Sequence, residues 1–293
     1  MNVNFAHTIT LWAKYDAYEI KEAPDGLRYV MPCKDAMPEP YKPTIEPEQM
    51  VLDTINTGLY SMRQDEKGME KAVLRFATKY GLLGLMPGIP TTPDFIDYEK
   101  VYLLTNPYIR KEVMETTAFM ELFFPFEKPV FEKKGKESVW HISDDNTMVA
   151  LSAFLSSQPQ SQIMSFHRIY AERYDWIRES FRQIAFKALT CHYYYNEPEH
   201  LDDDLKRLYQ KGIKAYDGTV PTCHMALLDK PTIIWSFSSL LQIIQMMMSF
   251  TIANDHSTIR LCDQCGEAFI SKGREDIFCS EACREAYGKN RKK

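Results

Sequence analysis

The sequence predicts a mostly α protein with one or two small β hairpins and a C-terminal zinc finger, on three observations. Apolar residues recur at helical spacing through most of the middle of the chain. Short strand-like stretches flank turn residues at Pro24-Asp25-Gly26 and near Gly135. Four of the seven cysteines form two close pairs beyond residue 260, with the spacing of metal ligands. At 293 residues, with 45% hydrophobic and 13% aromatic side chains and only 12 glycines, the chain has the composition of a packed globular protein that needs no metal to build its main core. Its formal charge of -5 excludes a protein that coats nucleic acid with its whole surface and leaves room for a local basic patch.

The elements follow in chain order. ITLWAKYDAYEI and LRYVMP within residues 8 to 33 read as a hairpin, because the Asp25-Gly26 pair tolerates the positive φ of a tight turn. MPEPYKPTIEPEQ is proline-rich and aperiodic, and reads as a linker or extended arm over the core. Met69, Ala72, Val73, Phe76, Ala77 and Tyr80 share a helical face, with Gly81 placed for a left-handed cap. Helices are expected at 107–124 and at 144–156, the second opened by Ser143 with Asp144 and Asp145 in its first turn. VFEKKGKESVWHIS between them reads as a second hairpin turning at Gly135, and helical patterns resume at 160–195, 202–215 and 232–254. The domain expectation is a hairpin and proline-rich arm over 1–45, a helical body over 46–257 and the finger with a basic tail over 258–293.

Between Lys230 and Asp255 there is no charged residue, and the run is long enough to span a bilayer. Ser238, Gln242, Gln245 and Ser249 recur on one helical face opposite Ile244 and Met248, which suits a core helix with a hydrogen-bonded side, so no membrane association is expected. The opening MNVNFAHTITLWAKYD has no basic segment followed by an apolar stretch, and Cys33, Cys191 and Cys223 are scattered. Both features fit a reducing, cytoplasmic setting with metal-bound thiolates.

Cys262, Cys265, Cys279 and Cys283 are the metal-ligand candidates, spaced C-x2-C, thirteen residues, C-x3-C. In C-x2-C-G two thiolates converge because the chain turns tightly, and Gly266 takes the strained conformation. In the second pair Ser280 is placed to cap a helix with Cys283 in its first turn, where unpaired N–H groups favour a thiolate. GEAFISKGREDIF reads as a hairpin turning at Lys272-Gly273, which gives the order knuckle, hairpin, helix of a treble clef. Four thiolates close the coordination shell, so one structural Zn²⁺ is the expected cofactor, with iron as the alternative that thiolate ligation leaves open.

The segment LCDQCGEAFIS…FCSEACREAYGKNRKK resembles the finger that ends bacterial ABATE/CGNR-type proteins and related phage and Firmicutes proteins with a helical body. In that family Gly-Asn-Arg directly follows the fourth cysteine, whereas Arg284-Glu285-Ala286-Tyr287 follows Cys283 and Gly288-Lys289-Asn290-Arg291 comes later. LDTINTGL from Leu52 to Leu59 echoes the family's Leu-Asp-Phe-x-Asn-Thr pattern. The resemblance covers about the last 35 residues and implies a transcriptional regulator.

The terminal REAYGKNRKK carries the candidate nucleic-acid contacts: Arg284, Lys289, Arg291, Lys292 and Lys293 for phosphates, with Tyr287 to stack on a base or sugar. DNA or RNA is therefore one expected partner and a protein docked on the finger the other. Arg168, Arg173, Arg178, Arg182 and Lys187 are spread around their helix and read as surface residues, and Tyr193 to Tyr195 as a packed helix end. No P-loop, dinucleotide glycine fingerprint, H-E-x-x-H or G-x-S-x-G motif is present, so no enzyme is expected, and a catalytic site of another pattern in the helical body is the third alternative. The Cys191-His192 and Cys223-His224 pairs read as ordinary structure; the run Glu197, Glu199, His200 and Asp202 to Asp204 has the residue types to bind a divalent cation, and more simply Asp202 to Asp204 open the next helix.

Overall fold

Asp25 builds the first turn by accepting the Leu27 N–H at 2.9 Å, and Gly26 completes it at φ +77°. Strands β2 (Tyr18–Glu22) and β3 (Arg28–Pro32) pair antiparallel across this turn from Glu22↔Arg28 to Tyr18↔Pro32. The computed structural model describes residues 12–43, 47–86, 100–102, 108–128, 130–134, 137–141, 168–214, 222–227, 229–253, 258–271, 273 and 276–290. The helix expected at 144–156, the turn at Gly135 and the cations Lys272, Arg274, Arg291, Lys292 and Lys293 lie outside the described residues. The chain divides into two compact units: 1–45, 73–177 and 221–241 form the first, and 46–72, 178–220 and 242–293 the second.

In the first unit the proline-rich arm supplies a strand. β1 (Trp12–Tyr15) pairs with β4 (Pro38–Tyr41), Tyr15↔Pro38 and Ala13↔Pro40, an edge position where the missing proline N–H is tolerated. The Tyr41 hydroxyl donates to Tyr80 O at 2.6 Å and Trp12 Nε1 to Leu82 O at 3.0 Å. Gly81 has φ +87°, and a Cβ there would lie 2.5 Å from Ala13 O, so the close approach requires glycine. β5 (Lys100–Tyr102) pairs with β6 (Val113–Glu115), β7 (Val130–Lys134) with β8 (Glu137–His141), and β10 (Thr222–Leu227) with β11 (Pro231–Ser236). The two-residue β9 (Glu172–Arg173) extends the β2–β3 sheet through Tyr29↔Arg173 and Val30↔Glu172. Phe119, Phe123 and Tyr170 pack ring on ring, Trp12 and Tyr15 are also buried, and Tyr29 sits in a separate cluster with Ala23 and Ala171.

The second unit rests on helix α1 (Pro47–Met62), with Met50, Val51, Ile55 and Leu59 buried at helical spacing. Gly58 lies against Phe181, where a Cβ would come within 2.2 Å of the carbonyl oxygen. The other helices among the described residues of the two units are α2 (Glu66–Tyr80), α3 (Thr116–Glu121), α4 (Tyr174–Asn196), α5 (Asp203–Lys214), α6 (Leu240–Ile252) and α7 (Glu281–Asn290). A short 3-10 turn, Pro198–His200, separates α4 from α5. The six apolar residues expected on one face of α2 are all buried, and Gly81 ends that helix as expected.

Four sequence expectations need correction, the first being the helix at 160–195, which is broken just before Tyr174 because Glu172 and Arg173 pair with β3. Helix at 107–124 is confined to Thr116–Glu121, because 113–115 pair with 100–102 and satisfy their backbone in a sheet. The apolar run after Lys230 is divided between β11 and the 13-residue α6, and none of the described helices is long and apolar enough to cross a membrane. Among the described residues outside the finger there are five small antiparallel sheets instead of one or two hairpins. Their strands, two to six residues long, are too short to leave a clear period-two signature.

Candidate metal centre

The knuckle is built by backbone geometry. Gly266, at φ +71°, donates its N–H to Cys262 O at 2.8 Å, and Cys262 N–H meets Glu267 O at 2.9 Å, so Cys262 and Cys265 turn to one side. Asp263 N–H reaches Ile277 O at 3.0 Å and draws the segment before Cys279 against the knuckle. Ser280 Oγ accepts the Cys283 N–H at 3.3 Å, the capping role expected of it, at the start of α7.

These contacts bring one sulfur from each of Cys262, Cys265, Cys279 and Cys283 within 4.8 Å of every other. Cys265 and Cys279 sulfurs are 3.6 Å apart, and Cys279 and Cys283 sulfurs 3.5 Å. A tetrahedral ion with metal–sulfur bonds of about 2.3 Å separates its ligands by about 3.8 Å, so the cluster has the dimensions of a four-thiolate site. Burial opposes charge at Cys262, but N–H donors from Cys265, Cys279 and Gln264 prevail and lower its thiol to about 6. Burial, reinforced by the neighbouring thiols, pushes Cys279 up to about 12. A bound dication would stabilise the thiolate form of all four.

The expected hairpin is placed differently by the structure. β12 (Thr258–Leu261) pairs with β13 (Ala268–Ser271), Leu261↔Ala268, so the knuckle itself is the turn. The pairing partner of 268–271 precedes the knuckle instead of following Gly273, because the Cys262–Glu267 bond continues that ladder.

Residues that the ligand pattern did not single out anchor this hairpin within the second unit. Asn56 Oδ1 accepts the Ala268 N–H at 2.6 Å and its Nδ2 donates to Ala268 O at 3.2 Å, pairing with the strand as another strand would. Arg63 donates to Gly266 O at 2.6 Å. Arg260 contacts Glu197 at 3.4 Å and Asp276 O at 3.3 Å, and buried His192 contacts the same Glu197 oxygen at 3.1 Å. Burial lowers the His192 pKa from its ordinary value, with Glu197 opposing. The available sequence signal for the first of these was LDTINTGL, which places the Asn56 amide directly after Ile55 of the buried helical face.

Helix α7 has no buried residue. Its described cations have acids beside them: Arg284 lies 3.0 Å from Glu281, and Lys289 4.0 Å from Glu285. Tyr287 packs on Phe278 with ring centroids 5.1 Å apart. In the first unit, Arg173 bonds Asp175 and covers Trp176; in the second, Arg178 pairs with Glu66 and Arg182 with Glu179. These middle arginines accordingly form no uncompensated basic groove. Cys191 is buried and its neighbour His192 is committed to Glu197, so that pair forms no nucleophile–base unit. Neither a protein family, nor a curated protein, nor a solved structure matches the chain.

Proposed function

We propose that the chain binds one zinc ion through Cys262, Cys265, Cys279 and Cys283, and that the ion is structural. The convergence of four sulfurs within 4.8 Å carries this reading. A full set of thiolates leaves no position for substrate, and a closed tetrahedral site suits zinc better than a redox-active iron. A knuckle on a hairpin followed by a ligand pair at a helix start is also the arrangement of a treble clef, as in the ABATE/CGNR-type fingers. Metal analysis of freshly purified protein should find one zinc per chain, lost in Cys279→Ser; protein that carries no metal, or iron alone, refutes it.

The zinc holds α7 at the surface, and we assign the helix and its tail a nucleic-acid-binding role in a regulator. From Glu281 to Lys293 there are five cations against two acids, a local excess on an acidic chain. The test is binding of a fluorescent duplex and of a single-stranded RNA, against a variant with Lys289, Arg291, Lys292 and Lys293 changed to Gln. Four phosphate contacts predict a salt slope of about -3.6 on duplex DNA, and the variant should lose most of it. The pairing of Arg284 and Lys289 with Glu281 and Glu285, together with the Tyr287–Phe278 contact, favours a second reading in which α7 docks a protein. Absence of salt-sensitive binding to either nucleic acid selects that second reading.

A further inference from the structure

Helix α5 is an amphipathic helix whose leucines Leu205 and Leu208 face solvent, with Tyr209 half-buried beside them. Leu205, Leu208 and Tyr209 follow the i, i+3, i+4 spacing of a single face, and the stripe continues in the sequence to Ile213. Leu205 is 38% and Leu208 57% exposed. Helical faces of this kind are normally buried, so the stripe calls for an occupant.

The charges along α5 identify one. Asp202 caps the helix by accepting the Leu205 N–H at 2.7 Å, and Asp203 and Asp204 fill the first turn. Lys206, Arg207, Lys211 and Lys214 follow, so acids occupy the beginning of the helix and cations the rest. The Asp204 side chain is 95% exposed, with a 3.9 Å contact to Arg207. At 100° per residue, Asp204 and Lys211 fall about 20° apart on one flank of the stripe. A parallel neighbour of the same sequence would set like charges side by side. An antiparallel one centred between Leu208 and Tyr209 brings each Asp204 about 3 Å along the axis from the partner's Lys211, and does so twice by symmetry. The same arrangement opposes the two helix dipoles favourably.

We propose that α5 is a self-association surface on which a second copy of this chain docks through its own α5, antiparallel. Leu208 packs on the partner's Tyr209, with two symmetric Asp204–Lys211 ion pairs beside them. The proposal is independent of the zinc and nucleic-acid readings. A twelve-residue helix pair buries roughly 800 Å² in total, below the range of stable specific interfaces and among the transient ones, so the dimer is weak and concentration-dependent.

Sedimentation velocity of the full chain from about 5 to 500 µM should show a monomer–dimer equilibrium. Leu208→Glu should make it monomeric throughout that range. Asp204→Lys alone and Lys211→Asp alone should each weaken dimerisation about tenfold, and the double variant, which restores opposite charges across the axis, should return within about threefold of wild type. These are surface substitutions, and an unchanged circular dichroism melt confirms the fold of each variant. A wild-type chain that stays monomeric at every concentration overturns the proposal. So does a dimer indifferent to Leu208→Glu, or a double variant no better than the singles.

Discussion

Glu172 has no solvent exposure, yet its carboxylate is fully engaged: it accepts N–H groups from Leu83 at 2.9 Å, Gly84 at 2.6 Å and Leu85 at 2.7 Å, and the Tyr170 hydroxyl at 2.7 Å. The side chain therefore shapes the 83–85 backbone of the first unit from a single point. Glu172→Ala would strand three buried amides, and a loss of roughly 3–5 kcal/mol in a urea titration is expected. Burial raises the Glu172 pKa above its ordinary 4.5, with the amides and Tyr170 opposing. A carboxyl raised in the folded state is more easily ionised in the unfolded one. Its contribution is therefore complete below about 4.5 and is lost as pH rises through the folded value. The urea midpoint of wild type should fall over that rise relative to Glu172→Gln, which cannot ionise; parallel profiles would refute the linkage. No local pattern revealed this residue, because the three amides it holds lie 87 to 89 positions away. The four cysteines were legible because their chemistry restricts spacing within a pair, and the Ser280 cap because capping is local.

At the scale of elements, contact between α1 and α4 in the second unit depends on the missing side chain of Gly58. A methyl group there would sit 2.2 Å from Phe181 O and 2.7 Å from the Ala185 Cβ, and backbone on the far side cannot rotate away. Gly58→Ala raises intrinsic helix propensity and would stabilise an exposed helix. Here the overpacking term dominates, and a net loss of roughly 2–3 kcal/mol is expected, read as a lower urea midpoint with an unchanged slope. A neutral or stabilising result would show that the helices separate without cost. The reading of elements from sequence succeeded where a face was long and continuous, as in α2, whose six apolar positions span three turns. It failed at Val113–Glu115 and Pro231–Ser236, where a short apolar run has no period of its own and strand pairing decides the outcome. The knuckle hairpin shows the same limit: the residue types marked a turn at Cys262–Glu267, but only pairing could tell which neighbouring strand closes it.

For the whole molecule, the length of the chain argued that metal would be a local requirement, and the distribution of burial agrees with that argument. The largest buried side chains, Tyr15, Tyr29, Tyr170, Phe119, Phe123, Phe124 and Phe181 among them, lie outside the finger, whereas α7 contributes no buried residue. Apolar burial at about 25 cal/mol per Å² therefore stabilises the body without the ion, while α7 is held mainly by the cysteine cluster and the Phe278–Tyr287 contact. Removal of metal by a chelator, or by Cys279→Ser, should then unfold the finger and spare the rest. In hydrogen exchange the amides of Cys262, Gly266 and Cys283 should lose protection, since their acceptors Glu267 O, Cys262 O and Ser280 Oγ are brought into place by the cluster. The Ala268 amide should lose less, because Asn56 holds it from α1 whether or not the ion is present. Amides of α1, α2 and α4 should keep their protection, and the main thermal transition should persist with a modest shift. Collapse of that transition on chelation would mean that the ion organises the second unit as a whole, with Asn56, Arg63 and Arg260 carrying its effect into the helices.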